Sequence, residues 1–136
     1  MRTSESKHIE KFLIEHRGFA ECIIEEFLLT DYGTTFEVAI NYIWDATGEL
    51  RSNIDEPQTI VLRFKLIQEL HINNALTGQM LRHPEDINWG LNEIARIKLV
   101  SDTVEAGSEY SFIHLVFVWE GDRRMEVIFS EFEVFP

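Results

Sequence analysis

Between Thr34 and Trp44 the residues alternate with the period of a strand, and this pattern restricts the fold more than any other stretch. Phe36, Val38, Ile40, Tyr42 and Trp44 share one face; Thr35, Glu37, Ala39, Asn41 and Asp45 share the other, with Ile43 as the interruption. A strand apolar on one side has to lay that side on a core, which calls for an antiparallel sheet with one covered face. Thr30-Asp31-Tyr32-Gly33 precedes it as a turn, and the acid-bearing run over 19–29 precedes the turn, so the two strands form a hairpin.

The same reading extends along the chain. A third strand runs from about Gln58 to Leu66, and its apolar pattern continues through Ile67, Leu70 and Ile72 after slipping by one residue, the mark of a bulge. Glu93 to Val100 is read as a strand, followed by a loop over Ser101 to Glu109. Tyr110 to Trp119 is apolar on both faces, so it belongs in the middle of a sheet. Gly121-Asp122 turns the chain into a closing strand from Arg124 to Phe135. At the N-terminus, Ile9, Phe12, Leu13 and His16 recur at helical spacing, with Ser4 or Ser6 as the cap and Gly18 as the stop. Residues 75–90 are irregular, and Pro84 is placed to open a short helical turn. The expected architecture is α+β: a mostly antiparallel twisted sheet or half-barrel of about six strands, with an N-terminal helix and a short helical insert. At 136 residues it is read as a single domain spanning 1–136, and about two-thirds of the unfolded surface can be buried at this size.

Charge is distributed unevenly. The formal net charge is −12. Residues 18–50 hold seven acids and no base, residues 99–136 hold eight acids and two bases, and residues 51–98 balance at six of each. A chain of this kind repels phosphate backbones and anionic lipid surfaces, so neither nucleic acid nor membrane is an expected partner. A basic protein domain is. The acids of the base-free stretch, Glu21, Glu25, Glu26, Glu37 and Asp45, are the first candidates for partner binding. Asp102, Glu105 and Glu109, read as loop residues, are the second set, and Trp89 beside Glu85 and Asp86 is a candidate aromatic anchor. The plain alternative is that the acids only keep the surface soluble.

Reaction chemistry is hard to find. The five histidines, His8, His16, His71, His83 and His114, include no pair at the spacing of a helical zinc site, and no calcium-loop spacing occurs, so no metal is expected. Cys22 has acids on both sides in an apolar strand, which raises a thiol pKa and suits a packed thiol better than a nucleophile. Neither G-x-S-x-G nor a phosphate-binding glycine loop is present, so no cofactor is implied. Glu131 and Glu133 share a face, but carboxylates on strands more often form a solvated face that pairs with cations, here Arg63, Lys65, Arg96 or Lys98. The expectation is a non-catalytic binding protein. The absence of an apolar leader points to the cytoplasm.

Gly18-Phe19-Ala20 leading into an acid-bearing strand, and later Val61-Leu62-Arg63-Phe64-Lys65-Leu66-Ile67-Gln68-Glu69-Leu70-His71-Ile72, together resemble the pattern of a β-rich group of immunity proteins from bacterial polymorphic toxin and contact-dependent inhibition systems. Where that group often carries His-Asp after the early aromatic, this chain has Ala20-Glu21. The resemblance implies a stoichiometric inhibitor that binds a toxin domain, often a nuclease, through charge complementary to its basic groove. Two alternatives stand beside it: a homodimeric structural or assembly module using an exposed sheet edge or apolar patch, and a small-ligand-binding protein with a pocket in a half-open sheet.

Overall fold

The alternating stretch over 34–44 forms a strand over Thr35–Asn41 whose apolar side, Phe36, Val38 and Ile40, is buried. The computed structural model describes residues 1–53, 56, 58–82, 93–104, 111–119 and 123–136, with backbone only at 102–104. In chain order it comprises β1 (Arg2–Thr3), α1 (Ser6–Glu15), β2 (Ile23–Thr30), β3 (Thr35–Asn41), β4 (Thr59–Lys65), β5 (Glu69–Asn73), α2 (Gly78–Arg82), β6 (Ile94–Val104), β7 (Ser111–Trp119), β8 (Arg124–Phe129) and β9 (Glu131–Phe135). Among the described residues every strand pairing is antiparallel. Five strands form one sheet in the order β1-β9-β4-β3-β2, and four form a second in the order β5-β8-β7-β6.

The described strands number nine rather than about six. The short β1 adds one, and two expected strands each divide in two. At Leu66 the backbone turns left-handed (φ 55°), so the pattern slip after β4 is a corner rather than a bulge. The closing strand breaks at Ser130 in the same place, where the Ser130 N–H donates to the Lys65 carbonyl at 3.2 Å. Because β4 pairs with β9 and β5 with β8, a two-stranded ribbon crosses from one sheet to the other. At the far side the sheets touch through a bridge between Ile23 and Glu93, supported by the Glu21 N–H on the Ile94 carbonyl at 2.7 Å. The sheets remain open rather than closing into a barrel.

The core lies between the two sheets. Phe64 is its centre: its ring centroid is 4.9 Å from Phe129, 5.4 Å from Phe132, 6.0 Å from Phe117 and 6.4 Å from Phe36. Tilted and edge-to-face rings at these separations add attraction beyond the area they bury. As expected, β7 is a central strand, flanked by β8 and β6 and buried at Phe112, Ile113, Leu115, Val116, Phe117 and Trp119. Helix α1 adds Ile9, Phe12 and Leu13 to the same core.

Local chemistry departs from expectation in several places. Neither Ser4 nor Ser6 caps α1: Glu5 is the cap residue, and its N–H is held by the Thr3 hydroxyl at 3.1 Å. After α1, Arg17, Gly18 and Phe19 all take positive φ (57°, 62° and 57°), a sharp left-handed turn that delays the first long strand to Ile23. The turn persists because Phe19 is fully buried and its ring stacks on His16 at 5.5 Å. Strand β6 runs on through Ser101–Val104, so Asp102 belongs to a strand and not to the expected loop. The helical insert lies at Gly78–Arg82, and the turn expected at Pro84 falls outside the described residues, as does the one at Gly121-Asp122. Among the described residues, no helix is long and apolar enough to cross a membrane.

Candidate partner-binding edge

The outer face of the five-stranded sheet carries a charge ladder. Register places Arg2, Glu133, Arg63 and Glu37 side by side across β1, β9, β4 and β3. Arg63 Nε donates to Glu37 Oε1 at 2.6 Å and its Nη1 to Glu133 Oε2 at 3.1 Å. Arg2 pairs with Glu131 and reaches Glu133 at 3.5 Å; Lys65 reaches Glu133 at 3.8 Å. Three acids thus meet three bases. Glu37 is therefore a neutralised member of the sheet, which corrects its assignment to a free anionic face. Arg96 and Lys98, in the other sheet, take no part in this pairing.

Asp45 is also occupied locally. Its Oδ1 accepts hydrogen bonds from the Thr47 hydroxyl at 2.6 Å, the Thr47 N–H at 2.8 Å and the Glu49 N–H at 3.0 Å. These donors, the Thr47 hydroxyl first, hold its carboxyl below the ordinary aspartate range. Asp45 organises the turn at 45–49, which keeps its carboxylate exposed. That turn lies against the start of β2, since the neighbouring Trp44 Nε1 donates to the Ala20 carbonyl at 2.9 Å.

Of the other candidate acids of the base-free stretch, Glu25 and Glu26 lie on β2 and Glu21 just before it. Glu21, Glu25 and Glu26 are exposed, and among the described residues none has an ion-pair partner. Glu25 occupies a bulge between Ile24 and Glu26. Beyond it, Phe27, Leu28 and Leu29 are 40%, 50% and 55% exposed, and Tyr32 projects from the hairpin turn. β2 is the last strand of its sheet. Past the Ile23–Glu93 bridge, its outer backbone edge has no strand partner among the described residues. The edge over residues 25–29 is about 17 Å long at roughly 3.4 Å per residue. It is acidic at one end and apolar at the other.

The apolar half of this edge was readable as a signal. Phe27-Leu28-Leu29 puts apolar side chains on both faces of one strand, which requires either cover on both sides or exposure on one. Of the other expected residues, Asp102 is in β6 on the second sheet, away from β2, and Trp89, Glu105 and Glu109 lie outside the described residues. Cys22 is fully buried, and desolvation pushes its thiol up to about 11. Among the described residues, no three His, Cys, Asp or Glu side chains gather as a metal site would require.

No family model matches the chain, and no curated protein matches it. Among solved structures it is similar to an uncharacterized protein from Neisseria gonorrhoeae, with a TM-score of 0.52 at 12% identity, over 86% of this chain and 92% of that one. That likeness concerns the fold alone.

Proposed function

We propose that the chain is a non-catalytic protein-binding module that captures a basic partner along the free edge of β2. The observation that carries this reading is that edge: two unpaired carboxylates, Glu25 and Glu26, followed by three exposed apolar side chains on a terminal strand, with Glu21 just before it. A terminal strand offers a row of unpaired backbone groups, and an incoming extended segment satisfies them by strand addition. Glu21, Glu25 and Glu26 steer a positively charged segment to the edge, and Phe27, Leu28 and Leu29 supply the apolar contact that holds it. In the inhibitor reading the partner is a toxin domain, and occupation of its basic groove blocks it stoichiometrically.

The test is association with a Lys/Arg-rich protein domain, followed by stopped-flow mixing. The on-rate should fall steeply with salt, and Glu25→Lys with Glu26→Lys should slow it about tenfold at low ionic strength. Salt-independent association, or an unchanged rate in the double variant, rejects the edge.

Self-association is the second reading, favoured by the same exposed Phe27, Leu28 and Leu29. An antiparallel pairing of two copies centred on Leu28 sets Glu25 opposite Asp31 at both ends, and like charges directly opposed are destabilising. Light scattering that gives a monomer at high micromolar concentration removes this reading.

A further inference from the structure

The cleft between α1 and β6 is lined by more bases than acids, in a chain whose net charge is −12. It encloses about 320 Å³, at the lower end of the roughly 300–1,000 Å³ typical of small-molecule sites. Leu13 and Ile14 from the helix, and Ile97 and Leu99 from the strand, give it apolar walls. Arg96 and Lys98 line it from β6. In a chain with 24 acids and 12 bases, neither of these two cations has a carboxylate partner among the described residues. Glu10 is the one acid in the lining, and it is not paired with either. Arg17 is also part of the wall, but its guanidinium lies over the Trp44 ring, 5.3 Å from the centroid, and is turned to the 44–48 turn.

Gly18 sets the width of the cleft. A Cβ there would stand 3.2 Å from the Ile97 carbonyl and 3.3 Å from Arg96 Cγ, so the bare glycine lets the Arg96 stem lie against the turn. The result is two unneutralised cations on one strand beside an apolar slot. An anion alone would leave the slot wet; an apolar molecule alone would leave the cations unanswered.

We propose that this cleft binds a small amphipathic anion, a carboxylate or similar head carried on a short apolar tail. The head meets Arg96 and Lys98, and the tail lies along Ile14 and Leu99, the apolar walls that stay accessible beside the buried Leu13 and Ile97. This site is separate from the β2 edge and does not rest on the partner-binding reading.

The test uses sodium octanoate, 1-octanol and inorganic phosphate as probes, titrated into the intact chain and followed by amide chemical shifts. Octanoate should shift the amides of 13–18 and 96–99 saturably, while octanol and phosphate each bind about tenfold more weakly or worse. Arg96→Glu with Lys98→Glu should weaken octanoate about tenfold or more, and Arg82→Glu, outside the cleft, should leave it unchanged. Both cations are exposed, so circular dichroism should report a folded double variant; if it does not, the milder Lys98→Gln is used with the same readout. Equal binding of octanoate and phosphate, shifts confined to other residues, or undiminished binding by the folded variant overturns the proposal.

Discussion

Replacing Arg63 with methionine separates a structural role for the sheet's carboxylates from a functional one. Arg63 is the central cation of the ladder: it bridges Glu37 at 2.6 Å and Glu133 at 3.1 Å, and its guanidinium covers the Phe135 ring at 4.4 Å. Fully exposed ion pairs contribute about 0.2–1 kcal/mol, whereas stripping one partner from a buried pair costs about 3–5 kcal/mol. Glu133 is only 8% exposed, but Arg2 at 3.5 Å and Lys65 at 3.8 Å still answer part of its charge. The loss should fall between the two limits, at about 2 kcal/mol. Urea denaturation at pH 7 measures it. Double-mutant cycles with Glu37→Gln and with Glu133→Gln should each return a coupling of about 1 kcal/mol. Salt at about 1 M should reduce these couplings without abolishing them, since partly buried pairs are screened less. A stability change below about 0.5 kcal/mol for Arg63→Met would refute the reasoning. So would a Glu37→Gln variant of unchanged stability that no longer binds a partner, because Glu37 would then belong to the interface.

Phe64→Ala should cost about 4 kcal/mol or more, because it empties the centre of the ring cluster; a loss under about 1 kcal/mol by denaturation would mean the sheets do not pack as described. Gly18→Ala should cost about 1–2 kcal/mol from its left-handed backbone, measured as a lowered melting temperature, and an unchanged melting temperature counts against the close approach to Ile97. For Cys22, burial raises the thiol from 9.0 to about 11. Its contribution is therefore intact below pH 9, where the thiol is neutral in both states, and is lost as pH rises from about 9 to 11 and the unfolded thiol ionises first. The wild-type stability should drop by about 2–3 kcal/mol more than that of Cys22→Ala over that interval; parallel pH curves for the two proteins would place the thiol in water.

The sheet was legible wherever one face had to be buried. Phe36, Val38 and Ile40 fell on the core side because period-2 alternation leaves no other register, and β7 read as central because it is apolar on both faces. The corners were not legible. The slip after Leu66 has the same sequence signature whether a strand bulges within one sheet or crosses to another, and only the pairing of β5 with β8 decides between them. Charge was legible as composition but not as a surface. Glu37, Glu131 and Glu133 lie far from Arg2, Arg63 and Lys65 along the chain, and register alone brings them opposite. A stretch with no bases therefore looked uniformly anionic, although the neighbouring strand neutralises part of it. The free acids of β2 survive because their strand is terminal and has no cation-bearing neighbour on its outer side among the described residues.

Amide hydrogen exchange of the chain, free and in the presence of a saturating Lys/Arg-rich protein domain, probes the β2 edge most directly. The account predicts slowed exchange concentrated at residues 25–29 of β2, where an added strand would engage the open backbone groups, with the Arg2–Glu133–Arg63–Glu37 face unchanged. Protection confined to that ladder face or to the outer side of the four-stranded sheet, with β2 exchanging as in the free chain, would contradict it.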